Sequence, residues 1–154
     1  MKYYRHILCA TDFSPVCDLV YAYAAELARG SGAKLTLLHA VAHFPVDRSN
    51  EEIAPEDIDP KEFHEQRARM QLEAQVARIG YQETIPEVIF GARAPGHEIL
   101  HYADAHGVDL IVVADHEHKG ITARLISTGE AVRAHAACEV MVLPAQEALM
   151  RRAV

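Results

Sequence analysis

The sequence contains few cysteines, and the three it has, Cys9, Cys17 and Cys138, are odd in number and far apart. This pattern fits a reducing cytosol better than a disulfide framework. No stretch approaches the roughly 18 consecutive apolar residues of a membrane-spanning helix, and the amino terminus has no apolar run of signal-peptide length. We therefore expect a cytoplasmic protein without a membrane segment.

Positive charge is also scarce. Lys and Arg number 15 against 22 Asp and Glu, which gives a net charge of -7 with neutral His. Proteins that bind nucleic acids or anionic membranes need clustered Lys and Arg, so the charge balance argues against both kinds of partner. The chain has 154 residues, half of them hydrophobic, and this is enough for one domain with a substantial core.

Short apolar runs alternate with segments of helical periodicity. We predict strands at residues 5–11, 34–41, 87–90, 110–114 and 140–143, and helices at residues 15–30, 61–80, 97–107 and 128–136. Nearly continuous Val, Ile and Leu in the strands indicate a parallel sheet with helices on both faces, and right-handed crossovers make it doubly wound. We expect residues 1–146 to form the domain and 147–154 a tail. On the second helix, Phe63, Met70, Ala74 and Ala77 are expected to face the core.

Polar residues follow the predicted strands at the edge where such sheets bind ligands. Asp12 follows the first strand, Val41 ends the second, Gly91 ends the third, and a polar loop beginning at Asp115 follows the fourth. In a doubly wound α/β sheet, ligands bind outside the carboxyl ends of the strands where the strand order reverses. Asp12 could accept hydrogen bonds from a ribose, or with Ser14 it could cap the first helix. The local sequence favours neither function over the other.

The chain offers little sign of a catalytic or metal site. Asp115, His116, Glu117 and His118 lie together, but adjacent loop residues rarely converge on one ion, so we predict no metal. His39 lies near a strand end, where packing or exposure is expected. The sequence contains no Walker loop, no GxGxxG fingerprint and no GxSxG elbow, and no cysteine lies in a catalytic motif. We therefore predict no catalytic residue.

Four stretches of the chain resemble the universal stress protein family: HILCATDFSP, LTLLHAV, GARAPGHEILHYADAHGVDLIVVADH, and the closing strand with its proline. The resemblance covers nearly the whole chain. It implies a Rossmann-like fold of the adenine nucleotide alpha hydrolase type, with five strands in the order 3-2-1-4-5. It also implies a homodimer, commonly formed through the last strand, and a function in stress survival through protein partners rather than catalysis.

One motif divides this family. Nucleotide-binding members carry G-x2-G-x9-G-S/T after the fourth strand, where glycines let backbone amides approach the phosphates. Aligned here without gaps, Ala114, Glu117 and Ser127 replace the three glycines, and Thr128 matches the last position. A carboxylate within about 4 Å of a phosphate costs on the order of 1 to 4 kcal/mol. The resemblance is therefore nearer to the universal stress protein A subgroup, which lacks the motif, and implies weak or no ATP binding.

Other positions still match the nucleotide pocket of the family: Asp12, Val41, Gly91 and Thr128. His116, with its basic neighbours His118 and Lys119, could partly offset the charge of Glu117. An adenine nucleotide, AMP or ATP, is therefore the candidate cofactor, and no other is implied. Two alternatives to a purely partner-mediated function remain open at this point, a switch controlled by ATP or AMP and a weak nucleotide hydrolase.

Overall fold

The computed structural model describes residues 3–42, 56–91, 93–115 and 128–144, in which strands and helices alternate. The strands are β1 His6–Ala10, β2 Lys34–Ala42, β3 Thr84–Gly91, β4 Leu110–Asp115 and β5 Glu139–Pro144. The helices are α1 Pro15–Ser31, α2 Pro60–Ile79, α3 Pro95–Ala105 and α4 Thr128–His135. The predicted order of elements is confirmed.

The strands form one parallel sheet in the order β3-β2-β1-β4-β5, as predicted. The chain runs outward from β1 through β2 to β3, then crosses back to β4 on the other side of β1. The strand order therefore reverses between β1 and β4. In such a sheet the crevice at the carboxyl ends of these two strands is the expected ligand site.

The core has two layers because successive side chains of a strand point to opposite faces of the sheet. On β1, Ile7 and Cys9 pack on the side covered by α1 and α2, while Leu8 packs on the side covered by α3 and α4. All three side chains are fully buried. This explains the unbroken apolar run of β1, which is covered on both faces. Burial also raises the pKa of the Cys9 thiol, as expected for a core cysteine.

Strand β3 begins at Thr84, earlier than its sequence pattern indicates, and contains Pro86 opposite Leu37 of β2. Proline cannot donate a hydrogen bond, which argues against it within a central strand. It is tolerated here because β3 lies at the edge of the sheet. The expectation that the strand starts after the proline is wrong for this reason.

The buried face of α2 differs from the predicted one. Met70 is 68% exposed, and Ala74 and Ala77 are also exposed. The buried residues of this helix are Ala68, Leu72 and Gln75. The prediction followed the apolar residues, whereas the helix turns a polar residue, Gln75, into the core.

The end of α1 also differs. The sequence pattern predicts that this helix ends at residue 30, but Gly30 lies within it and the cap is Gly32, with φ of 67°. Its backbone N–H donates to the carbonyl of Ala28. Glycine adopts this left-handed conformation without the penalty that a side chain would add.

Gln75, a residue of α2, is fully buried where this helix packs against the end of β1. Its Oε1 accepts a hydrogen bond from the hydroxyl of Thr11 at 3.1 Å. Its Nε2 has no hydrogen-bond partner within the described part of the chain. A buried polar group without a partner destabilises a protein by about 1–3 kcal/mol. The amide therefore makes one hydrogen bond, to Thr11, and leaves one buried donor without a described partner.

We expect Gln75→Met to leave the free energy of unfolding within about 1 kcal/mol of the parent, because it keeps the volume and removes the unpartnered amide. Gln75→Ala should lower it by about 2–3 kcal/mol, since it leaves a cavity. Urea unfolding measures both, with the exposed Gln66→Met as the control. A loss in Gln75→Met as large as that in Gln75→Ala would contradict this account.

Candidate functional site

A cavity of about 130 Å³ lies at the carboxyl ends of β1, β2 and β4. The first turns of α1 and α3 complete its walls. Eleven described residues line it: Ala10, Thr11, Asp12, Cys17, Leu38, His39, Ala40, Pro95, Ile99, Val113 and Ala114. Most of the lining is therefore apolar, with a small number of polar groups, as in binding sites for small molecules.

Asp12 lies in the tight turn between β1 and α1, on the wall of the cavity. Its Oδ1 accepts hydrogen bonds from the backbone N–H of Ser14 at 2.9 Å and from the thiol of Cys17 at 3.1 Å. Ser14 occupies the N-cap position, but its hydroxyl donates to the sulfur of Cys17 and accepts no backbone N–H of the helix. Asp12 therefore orders the start of α1 and lines the cavity at the same time.

The imidazole of His39 forms another part of the wall. Its Nδ1 lies 2.8 Å from the carbonyl oxygen of Thr11, and the ring of Phe13 lies against it with centroids 4.3 Å apart. Phe13 has a φ of 68°, in the left-handed region that side chains other than glycine rarely adopt. Such a conformation costs on the order of 1–3 kcal/mol and persists only when surrounding contacts hold it. The turn is therefore strained where it meets His39.

The amino-terminal end of α4 packs closely against β4 at Gly129. A Cβ atom at this position would lie 3.3 Å from the carbonyl oxygen of Ala114 and 3.2 Å from a methyl group of Val142. A side chain at Gly129 would require these neighbouring atoms to shift by a few tenths of an ångström. The glycine thus places the start of α4 beside the carboxyl end of β4. Sequence reasoning missed it because Gly129 falls outside the glycine spacing considered above.

Comparison with known proteins identifies the family. The model of the family described as "Universal stress protein family" matches residues 3–144. The chain belongs to the universal stress protein family. Universal stress protein A homolog 1 of Coxiella burnetii is 30% identical to it over 141 residues, which cover 92% of this chain and 96% of the relative.

Two solved structures of universal stress proteins share the fold of this one. One, in complex with cAMP, is 20% identical with a TM-score of 0.68, and the match covers 94% of this chain and 99% of that protein. The other, from Archaeoglobus fulgidus in complex with dAMP, is 21% identical with a TM-score of 0.60, and the match covers 92% of this chain and 98% of that protein. The predicted adenine nucleotide alpha hydrolase-like fold is confirmed.

Two residues predicted to contact a nucleotide lie at the ends of β2 and β3. Val41 pairs with Phe90 and is not among the described lining residues, whereas its neighbour Ala40 is. Gly91 ends β3, and a side chain there would overlap the carboxyl group of Glu98. Gly91 therefore leaves room for Glu98 at the start of α3.

The remaining predicted site residues of this universal stress protein belong to β4, α4 and the segment between them. Ala114, at the end of β4, lines the same cavity as Asp12. Thr128 is the first residue of α4. His116, Glu117 and Ser127 lie outside the described residues, so their predicted contacts stay predictions.

A second polar cluster lies at the opposite, amino-terminal end of the sheet. The buried ring of His6 donates from Nδ1 to the carbonyl of His106 at 3.2 Å and accepts at Nε2 from the hydroxyl of Thr36 at 2.8 Å. The carboxylate of Asp109 accepts the backbone N–H groups of Arg5 and His6 at 2.8 and 3.0 Å. These bonds tie β1 to β2 and to the segment that leads from α3 into β4. The cluster has a structural function and does not contact the cavity.

The described residues show neither a metal-binding cluster nor a membrane-spanning helix. No group of three or more His, Cys, Asp or Glu side chains within residues 3–42, 56–91, 93–115 and 128–144 is arranged to hold a metal ion. No helix in the same ranges combines the length and the apolar character needed to cross a membrane.

Burial lowers the pKa of both His6 and His39 below the usual 6.5. Below about pH 6.5 these two histidines therefore bind more protons in the unfolded chain than in the folded one. The stability that depends on their neutral forms is fully present above this pH and is lost as the pH falls further. We expect the free energy of unfolding to decrease from pH 7 to pH 5, and His6→Gln to reduce that decrease. Urea unfolding at several pH values measures it.

The control is His101→Gln, which removes an exposed histidine of α3. Its pH dependence should match that of the parent. A His6→Gln protein with the full decrease of the parent would show that burial of this ring does not produce the acid sensitivity.

Proposed function

We propose that this universal stress protein is a non-enzymatic stress-response homodimer that acts through protein partners in the cytoplasm. We further propose that its cavity binds a small adenine nucleotide, AMP in preference to ATP. One observation carries the second proposal. The described lining contains one carboxylate, Asp12, and neither Lys nor Arg. Such a site suits a nucleoside, and its described residues include no Lys or Arg to neutralise the charge of a polyphosphate.

The chemistry of the lining supports a nucleoside. Apolar side chains such as Ile99 and Val113 can pack against the flat face of a base. The carboxylate of Asp12 is an acceptor and can receive hydrogen bonds from ribose hydroxyls. The cavity of about 130 Å³ is below the 300–1,000 Å³ typical of sites that enclose a whole drug-sized ligand. We infer that the base and part of the sugar enter it.

The nucleotides named for two universal stress proteins of the same fold, cAMP and dAMP, each carry a single phosphate. A single phosphate can lie outside the cavity in water, whereas a triphosphate needs several donors or cations for tight binding. In this proposal the phosphate meets the loop after β4 and the start of α4. Its contacts there are His116, Glu117, Ser127 and Thr128. The negative charge of Glu117 repels additional phosphate groups.

Hydrolysis of the nucleotide is not part of the proposal. Metal-assisted phosphoryl transfer commonly uses carboxylates to hold Mg²⁺ beside the phosphates. Asp12 is the one carboxylate among the described lining residues, and its Oδ1 already accepts two hydrogen bonds within the turn. This arrangement favours binding over catalysis.

Titration calorimetry with AMP, cAMP and ATP tests the site. We expect AMP or cAMP to bind more tightly than ATP. Asp12→Asn keeps an oxygen that can accept the Ser14 N–H but removes the charge, and it should weaken nucleotide binding about tenfold or more, as expected for a hydrogen bond to a charged group. Asp104→Asn, at an exposed position of α3, is the control. Low-micromolar binding of ATP would refute the proposed preference.

The proposed homodimer forms through β5. This strand lies at an edge of the sheet, and its Val140, Met141 and Val142 are only half buried. An edge strand presents unpaired backbone donors and acceptors that a second copy of the chain can complete. Apolar side chains that a monomer leaves half exposed would be covered in the same contact.

We expect the parent to sediment as a dimer and Met141→Lys to shift it toward the monomer, because the variant places a charge in the proposed interface. Ile85→Lys is the matched control, since Ile85 is 37% exposed on the opposite edge strand β3. Analytical ultracentrifugation measures the mass, and the melting temperature confirms folding. Dissociation by Ile85→Lys but not by Met141→Lys would move the interface to β3.

A further inference from the structure

We infer that His97 and His101 of α3 bind a divalent transition-metal ion of the Zn²⁺ class on the surface of the protein. Two imidazoles hold the ion, and water completes its coordination. Two ligands are fewer than the three-residue cluster that the described ranges lack, so the site has moderate affinity. It is separate from the cavity and does not depend on the proposed nucleotide.

The spacing of the two histidines is that of a known pair of metal ligands. They begin and end the sequence HEILH, residues 97–101, in the first two turns of α3. Side chains four residues apart on a helix are neighbours, with about 5–6 Å between their Cβ atoms. Two imidazoles at this spacing can reach one ion, as in the H-E-x-x-H helix of zinc peptidases. One helix therefore supplies two nitrogen ligands.

Both rings are accessible to an ion from solvent. Ile99, Tyr102 and Ala103 form the buried face of α3, whereas His97 and His101 are exposed on its opposite side. Neither imidazole makes a hydrogen bond, an ion pair or a ring contact with another residue in the ranges 3–42, 56–91, 93–115 and 128–144. Binding of a metal ion would therefore break no described contact.

Other described histidines differ in this respect. A ring nitrogen of His6, of His39 and of His106 lies within hydrogen-bond distance of a backbone carbonyl oxygen. Such bonds fix a ring in the fold and occupy one of its nitrogens. Packing thus accounts for those three histidines, and it does not account for the pair on the outer face of α3.

The charge around the pair favours a cation. Asp104 is exposed three residues after His101, so its carboxylate is a neighbour of that ring. Metal-binding histidines commonly donate their second ring N–H to a carboxylate, which orients the ring and makes it a better ligand. The partial positive charge at the start of a helix opposes a cation at His97. The carboxylate of Asp104 and the net charge of -7 act against this effect.

The glutamate of the HEILH sequence decides between binding and catalysis. In zinc peptidases the glutamate of H-E-x-x-H is the general base. Here the side chain of Glu98 is only 12% exposed, and its Oε1 lies 3.5 Å from Nε of Arg93. Its carboxyl group occupies the space where a Cβ of Gly91 would lie. Glu98 therefore packs against the end of β3 and pairs with an arginine, so the histidine pair is a binding site without a base.

The ligands also select the ion. Imidazole suits Zn²⁺, Ni²⁺ and Cu²⁺, whereas Mg²⁺ and Ca²⁺ prefer oxygen ligands. Structural zinc sites use four protein ligands. Two ligands provide about half of the binding free energy of such a site, which corresponds to a dissociation constant on the order of 1–100 µM.

Titration calorimetry with Zn²⁺ at pH 7.5, on untagged protein without nucleotide, tests the inference. We expect binding in this range and none with Mg²⁺. Zn²⁺ should also raise the melting temperature, because the ion binds the folded chain. His97→Gln and His101→Gln should each weaken Zn²⁺ binding about tenfold or more, since each leaves a single imidazole. Both positions are exposed, so the melting temperature without metal should stay near that of the parent.

Two controls separate this pair from the other histidines of the chain. His135→Gln removes an exposed histidine of α4 and should keep the affinity of the parent. The double variant His116→Gln, His118→Gln removes a pair that lies outside the described residues, and it should also keep that affinity. Parental affinity in either His97→Gln or His101→Gln, or no binding by the parent below about 1 mM Zn²⁺, would overturn the inference. Loss of binding in the His116 and His118 variant alone would assign the ion to that segment and overturn it as well.

Discussion

The structure depends on the burial of β1 between β2 and β4. A central parallel strand has neighbours on both edges and helices on both faces, so none of its backbone or side chains can remain in water. Asp109 fixes its start by accepting the N–H groups of Arg5 and His6. At its other end, the N–H of Thr11 donates to Leu38 of β2. The chain must then leave the sheet within a few residues to begin α1.

That short exit produces the chemistry of the crevice. Asp12 accepts the N–H of Ser14, Phe13 adopts a left-handed conformation, and the carbonyl of Thr11 accepts from His39 on the next strand. Together these contacts place a carboxylate and an imidazole on one wall of a mostly apolar cavity. The preference proposed for this universal stress protein, for a nucleoside over a polyphosphate, follows from this lining. It offers hydrogen-bond acceptors and, among the described residues, no Lys or Arg.

The sequence predicts most of the fold because its strands are buried on both faces. An apolar run such as Leu110 to Ala114 has no other stable place in a domain of this size, and the proline and glycine signals near the helix ends limit the remaining choices. The errors occur where tertiary contacts override local pattern. Edge position permits Pro86 within β3, and contact with Thr11 draws Gln75 into the core in preference to Met70.

The candidate site is less predictable from sequence. Asp12 could be found because it follows a strand at the switch point, and the structure places it on the cavity. The position of His39 depends on a hydrogen bond to Thr11, which follows β1, and the tautomer that results has no signature in sequence spacing. Gly129 was missed for a related reason, since its importance lies in its approach to Ala114. The contacts of residues 116–127 with a ligand rest on family resemblance alone.

The central claim is that the cavity binds the nucleoside of an adenine nucleotide and binds a polyphosphate only weakly. A crystal structure of the protein grown with equal concentrations of AMP and ATP tests it most directly. The account predicts density for a nucleoside monophosphate, with the ribose at Asp12. An ordered triphosphate held by the segment that joins β4 to α4, or a nucleotide bound away from Asp12, would contradict it.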